Sequence, residues 1–195
     1  LIEELSKTKK NYSFITEETG KIVNKNKNIF WVIDPIDGTT NFLHGVPHFA
    51  ISIALLKDDE IISGLIVDPI KNEIFYAEKN SGSFFNNCRI RVSKKSNIDE
   101  CLFASNNDGI KEMHPKLNLR STGCAALDLA YVGCGRLDGY FHNKINLWDI
   151  AAGKIIVEEA GGKVNKIDEF KINKIDIRAG NPNIYDKMIK KLNKF

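Results

Sequence analysis

Apolar and polar residues alternate in short runs along the first half of this chain, and the period lengthens midway. Residues 1–5 put Leu1, Ile2 and Leu5 on one face and read as the end of a helix. Residues 21–28 are polar and read as a turn. Trp31, Val32 and Ile33 then form an apolar, β-branched run expected to be a buried strand. Pro35 has no N–H to give to a sheet ladder, so the strand is predicted to stop there. Residues 50–55 alternate like a strand, Asp58-Asp59 turns the chain into a second strand over 60–67, and Asp68-Pro69 turns it again. Strands over 73–78 and 83–92, joined by Asn80-Ser81-Gly82, extend this into an antiparallel meander.

From Cys101 onward strands alternate with helices. The pattern predicts a strand over 102–105, a helix over 125–133, a strand over 137–141 and a helix over 149–160 ended by Gly161-Gly162. A strand over 175–179 and a helix over 182–192, opened by Asn181-Pro182, close the series. Strands first, then mixed strands and helices, imply layers of α and β elements around one core.

The chain has 195 residues, 43% of them hydrophobic, enough for one core and one domain over 1–195. The meander would occupy 1–100 and the mixed elements 101–195. Its net charge of +3 comes from scattered lysines and not from a stripe, so no direct nucleic-acid binding is expected. The longest apolar run, 49–56, is interrupted by Ser52 and too short to cross a bilayer. No signal-peptide pattern is visible, although the first residue is Leu1. Cys88, Cys101, Cys124 and Cys134 lack C-x-x-C spacing and read as buried thiols of a reducing cytoplasm. His44 and His48 stand at i, i+4, but Pro47 lies between them, and they read as loop residues near a site mouth. His114 and residues 111–116 read as exposed loop.

The chemistry concentrates at Asp34-Pro35-Ile36-Asp37-Gly38-Thr39-Thr40. Two carboxylates stand three residues apart at the end of an apolar strand. Gly38 permits a tight turn, and Thr39 or Thr40 suits the first turn or N-cap of a short helix. Hard oxygen ligands beside a helix N-terminus suit Mg²⁺ and a phosphate that the metal polarises. An Asp-Pro turn with a capping aspartate would give part of the same pattern.

The string Asp34-Pro35-Ile36-Asp37-Gly38-Thr39-Thr40-Asn41-Phe42 resembles the metal-binding signature of the inositol monophosphatase family. The family's second signature, W-D-x-A-A-G, is matched by Trp148-Asp149-Ile150-Ala151-Ala152-Gly153, which runs on into Glu158-Glu159-Ala160-Gly161-Gly162. A Glu-Glu pair expected upstream is matched by Glu17-Glu18. The resemblance implies an α/β (α+β) fold, a layered α-β-α-β-α sandwich of the inositol monophosphatase and fructose-1,6-bisphosphatase type. It implies a lithium-sensitive phosphatase dependent on two to three Mg²⁺ ions, with Mn²⁺ as a substitute, acting as a homodimer on a small phosphomonoester.

Carried over by position, Asp34 would bridge two ions. The Ile36 carbonyl and Glu17 would complete the first site, and Asp37 and Asp149 would bind the second. Glu17 would also touch a third ion and orient or deprotonate the attacking water, whereas Glu18 stays outside the ligand set. The Gly38 and Thr39 amides would hold phosphate. Asp149 opens a helix, so it could also be an N-cap, a role compatible with ligation. In inositol-specific members a Gly-Thr/Ser-Ala-Ala segment and a Glu before W-D contact the ring hydroxyls. Here these positions are Gly123-Cys124-Ala125-Ala126 and His142. A neutral His142 lacks the carboxylate acceptor, and it could equally be a surface residue. The substrate-facing set is then Asp37, Gly38, Thr39, Gly123, Cys124, Ala125, His142 and Asp149.

Two departures stand out. The family's Thr-x-x-Asp element, whose Asp works with the threonine at Thr39, would lie before Leu1, and residues 106–116 are shorter than their usual counterpart. Inositol 1-phosphate is the expected substrate. A sugar bisphosphate or 3′-phosphonucleotide is an alternative, as is a non-catalytic role with the transcription and ribosome-assembly machinery.

Overall fold

Period-two alternation lays most of the first half of the chain into one sheet. A computed structural model describes residues 1–168 and 171–192. Helix α1 (Ile2–Thr8) leads into β1 (Ser13–Thr16), β2 (Gly20–Ile22) and β3 (Ile29–Asp37). The short α2 (Thr39–Leu43) is followed by β4 (Ala50–Lys57), β5 (Glu60–Asp68), β6 (Glu73–Glu78), β7 (Gly82–Phe85) and β8 (Cys88–Arg89). These eight strands form one sheet in the order β2-β1-β3-β4-β5-β6-β7-β8. After a 3₁₀ turn (Ile98–Glu100) come β9 (Leu102–Ala104), α3 (Ile110–Met113), β10 (Asn118–Arg120), α4 (Ala125–Gly133), β11 (Gly139–Ile145), α5 (Leu147–Glu159), β12 (Lys163–Val164), β13 (Ile175–Gly180) and α6 (Pro182–Leu192). The second sheet runs β10-β9-β11-β13-β12.

Burial shows how the layers stack. Ile15, Val32, Ala54, Ile66 and Phe75 of the first sheet share a core with α4, α5 and Tyr140 and Ile177 of the second. Phe14 and Ile33, their sequence neighbours, are buried on the opposite face, where Leu1 and Ile2 line a groove with Ile33 and Pro35. Phe103, Leu119 and Phe141 point away from α4 and pack with Ile110 of α3 and with Ile184 and Met188 of α6. The order is therefore helix, sheet, helix pair, sheet, helix, the five layers expected from the resemblance. No helix among the described residues is long and apolar enough to cross a membrane.

Several expectations need correction. Pro35 does not end β3, because the strand bulges around it. Asp34 pairs with Ser52 and Asp37 with Ala50, so three steps on β3 face two on β4. A regular strand would point Asp34 and Asp37 to opposite faces, and the extra residue brings them to one side. The polar turn expected over 21–28 begins with β2, paired to β1. The N-cap of α2 is Gly38, left-handed at φ +89°, and Thr39 and Thr40 take the other place expected for them, the first turn. The strand expected over 83–92 breaks into β7 and β8 at Asn86 and Asn87, both at positive φ. The loop at 111–116 contains part of α3, and His114 is buried edge-on against Phe141. Cys88 is exposed, Cys134 is half-buried, and only Cys101 and Cys124 are fully buried.

Helices α4 and α5 touch at Gly153. A Cβ there would lie 2.4 Å from Leu129 Cβ and 2.6 Å from its Cδ1. Gly153→Ala should force the helices apart at a cost of about 1–3 kcal/mol, lowering the melting temperature by roughly 3–10 °C. Differential scanning calorimetry checks this, and an unchanged melting temperature would mean that the two helices are not held in this contact.

Candidate metal centre

Three backbone devices converge at one end of the first sheet. The β3 bulge supplies Asp34 and Asp37. Asp149 comes from the first turn of α5, whose position is set partly by Ser52 Oγ donating to Trp148 O at 3.2 Å. Strand β1 is parallel to β3 with Thr16 opposite Ile33, so Glu17 emerges beside Asp34, its N–H donating to Ile33 O at 3.3 Å. Oxygens of Asp34, Asp37 and Asp149 all lie within 4.8 Å of one another, the one such group of three among the described residues. Glu17 is exposed at the rim and outside this trio.

Each carboxyl is anchored by its own local turn. Asp34 Oδ1 accepts from Ile36 N–H at 2.9 Å. Asp149 Oδ2 accepts from Asn146 N–H at 3.1 Å, so Asn146 is the N-cap and Asp149 the third helical residue. Asp37 Oδ2 accepts from the Cys124 thiol at 3.0 Å and from Ala126 N–H at 2.6 Å. Asp34 and Asp149 also share a hydrogen bond.

The electrostatics follow from packing acids together out of water. Burial first, then the charges of Glu17 and Asp149, push the Asp34 carboxyl well above the usual carboxylate range. Burial and the charge of Asp37 raise Asp149. Burial raises Asp37 to about 7 against the two hydrogen bonds it accepts. Such a centre is short of positive charge, and a divalent cation with oxygen-rich coordination fits its donor set. The three carboxyls are the candidate ligand set for such a cation.

Around the trio, Gly38 packs under the 123–124 turn. A Cβ on it would lie 3.1 Å from His48 O and 3.3 Å from Gly123 O and Cys124 Cβ, so only glycine fits this left-handed position. Thr39 is exposed, and its Oγ1 donates to Ile36 O at 2.9 Å. The Cys124 thiol points at Asp37, and Ala125 opens α4 with little exposure. His142 is half-buried on the β11 face that carries Tyr140, and the two rings are parallel at 6.4 Å. Its ring bonds to the Asn106 backbone, its Nδ1 is buried without a partner, and burial lowers its pKa. His44 is exposed. His48 packs against Tyr131, and neither histidine joins the acidic trio.

Sequence reasoning missed the polar groups behind this centre. Asp128 is fully buried in α4, and burial raises it to about 8. Asn106 and Thr122 donate to it. Tyr140 OH is buried without a partner, and burial together with the charge of Asp128 holds it above its usual value. A lone acid in the otherwise apolar helix 125–133 was the available signal.

The model of the Inositol monophosphatase family matches residues 1–194. The inositol-1-monophosphatase of Caulobacter vibrioides is 36% identical over 210 residues, covering 98% of this chain and 82% of that protein. The Nus factor SuhB of Haemophilus influenzae is 40% identical, covering 93% and 72%. The crystal structure of the extragenic suppressor protein suhB from Bartonella henselae superposes with a TM-score of 0.91 at 39% identity, covering 99% of this chain and 84% of that one.

The raised carboxyls make stability depend on pH. A carboxyl whose folded pKa lies above its unfolded value of about 4 contributes fully below that value, and the contribution is lost as pH rises through the folded pKa. For Asp37 and Asp128 that loss begins near pH 4 and is complete near pH 7 and 8. The melting temperature of the metal-free protein should therefore fall between pH 5 and pH 8, and Mg²⁺ or Mn²⁺ should recover it at pH 8. Asp34→Asn should remove most of that recovery. Calorimetric scans in chelator and in metal decide it, and an equal metal shift in protein and variant would exclude Asp34 as a ligand.

Proposed function

We propose that this chain, which belongs to the inositol monophosphatase family, uses Mg²⁺ to hydrolyse small phosphomonoesters, inositol 1-phosphate foremost. Phosphomonoester hydrolysis comes with the family, and the metal and the substrate are our reading. The observation that carries it is the convergence of the buried Asp34 and Asp37 with the half-buried Asp149 into one under-neutralised group.

In this reading Asp34 would serve both of two ions, with Glu17 and the Ile36 carbonyl holding one and Asp37 and Asp149 the other. Mg²⁺ bound there supplies the positive charge against which phosphoryl oxygens and an attacking water are polarised. Glu17, exposed beside Asp34, would orient that water and take its proton. The Gly38 and Thr39 amides, at the start of α2, are the phosphate donors, and Thr39 adds a hydroxyl at the mouth. Gly123, Cys124, Ala125 and His142 border the part of the substrate that leaves as an alcohol. His142, held neutral by burial, offers that alcohol a weaker acceptor than a carboxylate would.

We also read the chain as a homodimer of the cytoplasm. The free cysteines support the compartment. Phe42, Leu43 and Val46 support the dimer, because the segment after the site leaves all three exposed, Leu43 at 75%. Sedimentation equilibrium should give twice the chain mass, and Leu43→Lys should shift the protein toward monomer. An unaltered mass would place any contact elsewhere. A second reading, as a Nus factor, rests on the name of the Haemophilus influenzae relative.

One assay of phosphate release tests the catalytic reading. Turnover of inositol 1-phosphate should require Mg²⁺, fall at millimolar Li⁺ but not at equal Na⁺, and drop roughly a hundredfold or more in Asp34→Asn. His142→Glu should raise kcat/KM for inositol 1-phosphate relative to glycerol 2-phosphate, on the order of ten- to a hundredfold. Metal-independent release would remove the mechanism, and an unchanged ratio would put His142 outside the substrate pocket.

A further inference from the structure

The turn that closes over Gly38 is held by a residue outside the acidic centre. Asn106 follows β9, and its side-chain amide makes three hydrogen bonds at once. Its Oδ1 accepts from the N–H groups of both Thr122 and Gly123 at 2.9 Å each, and its Nδ2 donates to Asp128 Oδ2 at 3.1 Å. The other Asp128 oxygen accepts from Thr122 Oγ1 at 2.9 Å, and Thr122 Oγ1 accepts from Cys124 N–H at 3.3 Å. From the far side, Asn41 Nδ2 in α2 donates to Thr122 O at 2.9 Å. The turn is thus tied at two amides, a hydroxyl and a carbonyl by groups from the loop after β9, from α4 and from α2.

Those ties reach Asp37. Both donors on its Oδ2, the Cys124 thiol and the Ala126 N–H, belong to this turn and to the helix residues it delivers. Gly123, at φ +82°, gives the turn little stiffness of its own, so its shape comes from its partners. An amide side chain suits the task because it offers an acceptor to two N–H groups and a donor to a buried acid. Losing it would leave two turn amides and Asp128 short of partners.

We propose that Asn106 is a positioning residue: it fixes the turn at 121–124 so that Cys124 and Ala126 hold one oxygen of Asp37 and leave the other to a divalent cation. This rests on the reading of the acidic centre as a cation site. The same residue joins that centre to the side facing the leaving alcohol, because the His142 ring bonds to its backbone.

Calorimetric titration of the substrate-free chain with Mn²⁺ tests this without turnover. Asn106→Ala should weaken Mn²⁺ binding about tenfold. Cys124→Ala should weaken it less, and the double variant should bind no worse than Asn106→Ala, because both changes act through the same donors. If Asn106→Ala does not fold, Asn106→Ser, too short to reach both amides, takes its place. Wild-type affinity in Asn106→Ala, or additive losses in the double variant, would overturn the inference and leave the cation reading standing. A wild-type chain that takes up no Mn²⁺ would overturn that reading and this inference with it.

Discussion

Holding three carboxyl groups within 4.8 Å of one another, two of them buried and the third half-buried, is unfavourable unless something supplies protons or positive charge. The surrounding structure is organised to tolerate that cost. Each acid keeps one oxygen on a donor from its own neighbourhood: Ile36 N–H for Asp34, Asn146 N–H for Asp149, and Cys124 with Ala126 for Asp37. The remaining oxygens face each other. Local anchoring therefore fixes the acids, and the cluster stays a cluster although its members repel.

The scaffold explains why three distant segments supply those acids. Strand β3 passes two of them to the same side through its bulge, and β1, parallel to it, ends where Glu17 stands beside them. Helix α5 crosses behind the sheet and brings Asp149 back after more than a hundred residues. The close passage of α4 along α5 then sets the turn before α4 over Gly38. Geometry at the centre is thus a product of helix packing as much as of the strand that carries the two-aspartate motif.

Much of this was legible in the chain. The meander from Ala50 to Glu78, helix α4 and helix α6 fall where alternation and end signals put them, because their local preferences and burial agree. Pro35 misled, because a bulge removes the ladder position whose missing N–H would have mattered. Strand β1 and its partner β2 went unread. Ser13–Thr16 is buried at every position and pairs in parallel with a strand that begins thirteen residues after it ends, a contact without local trace. Cys88 went astray because a two-residue edge strand after a turn offers its side chain no cover. Asn106 carried no signal at all, since its partners lie sixteen and more residues away.

The helix layer has a consequence for how the chain is made. The inner face of the first sheet, with Ile15, Val32, Ala54, Ile66 and Phe75, is covered by α4 and α5, which come from residues 125–159. A nascent chain that has emerged only as far as β8 would own eight strands and no cover for their apolar face. That sheet can be completed only after most of the polypeptide has left the ribosome, so the first half must wait unfinished during synthesis. A chain cut between the two sheets would leave both pieces with a bare hydrophobic wall.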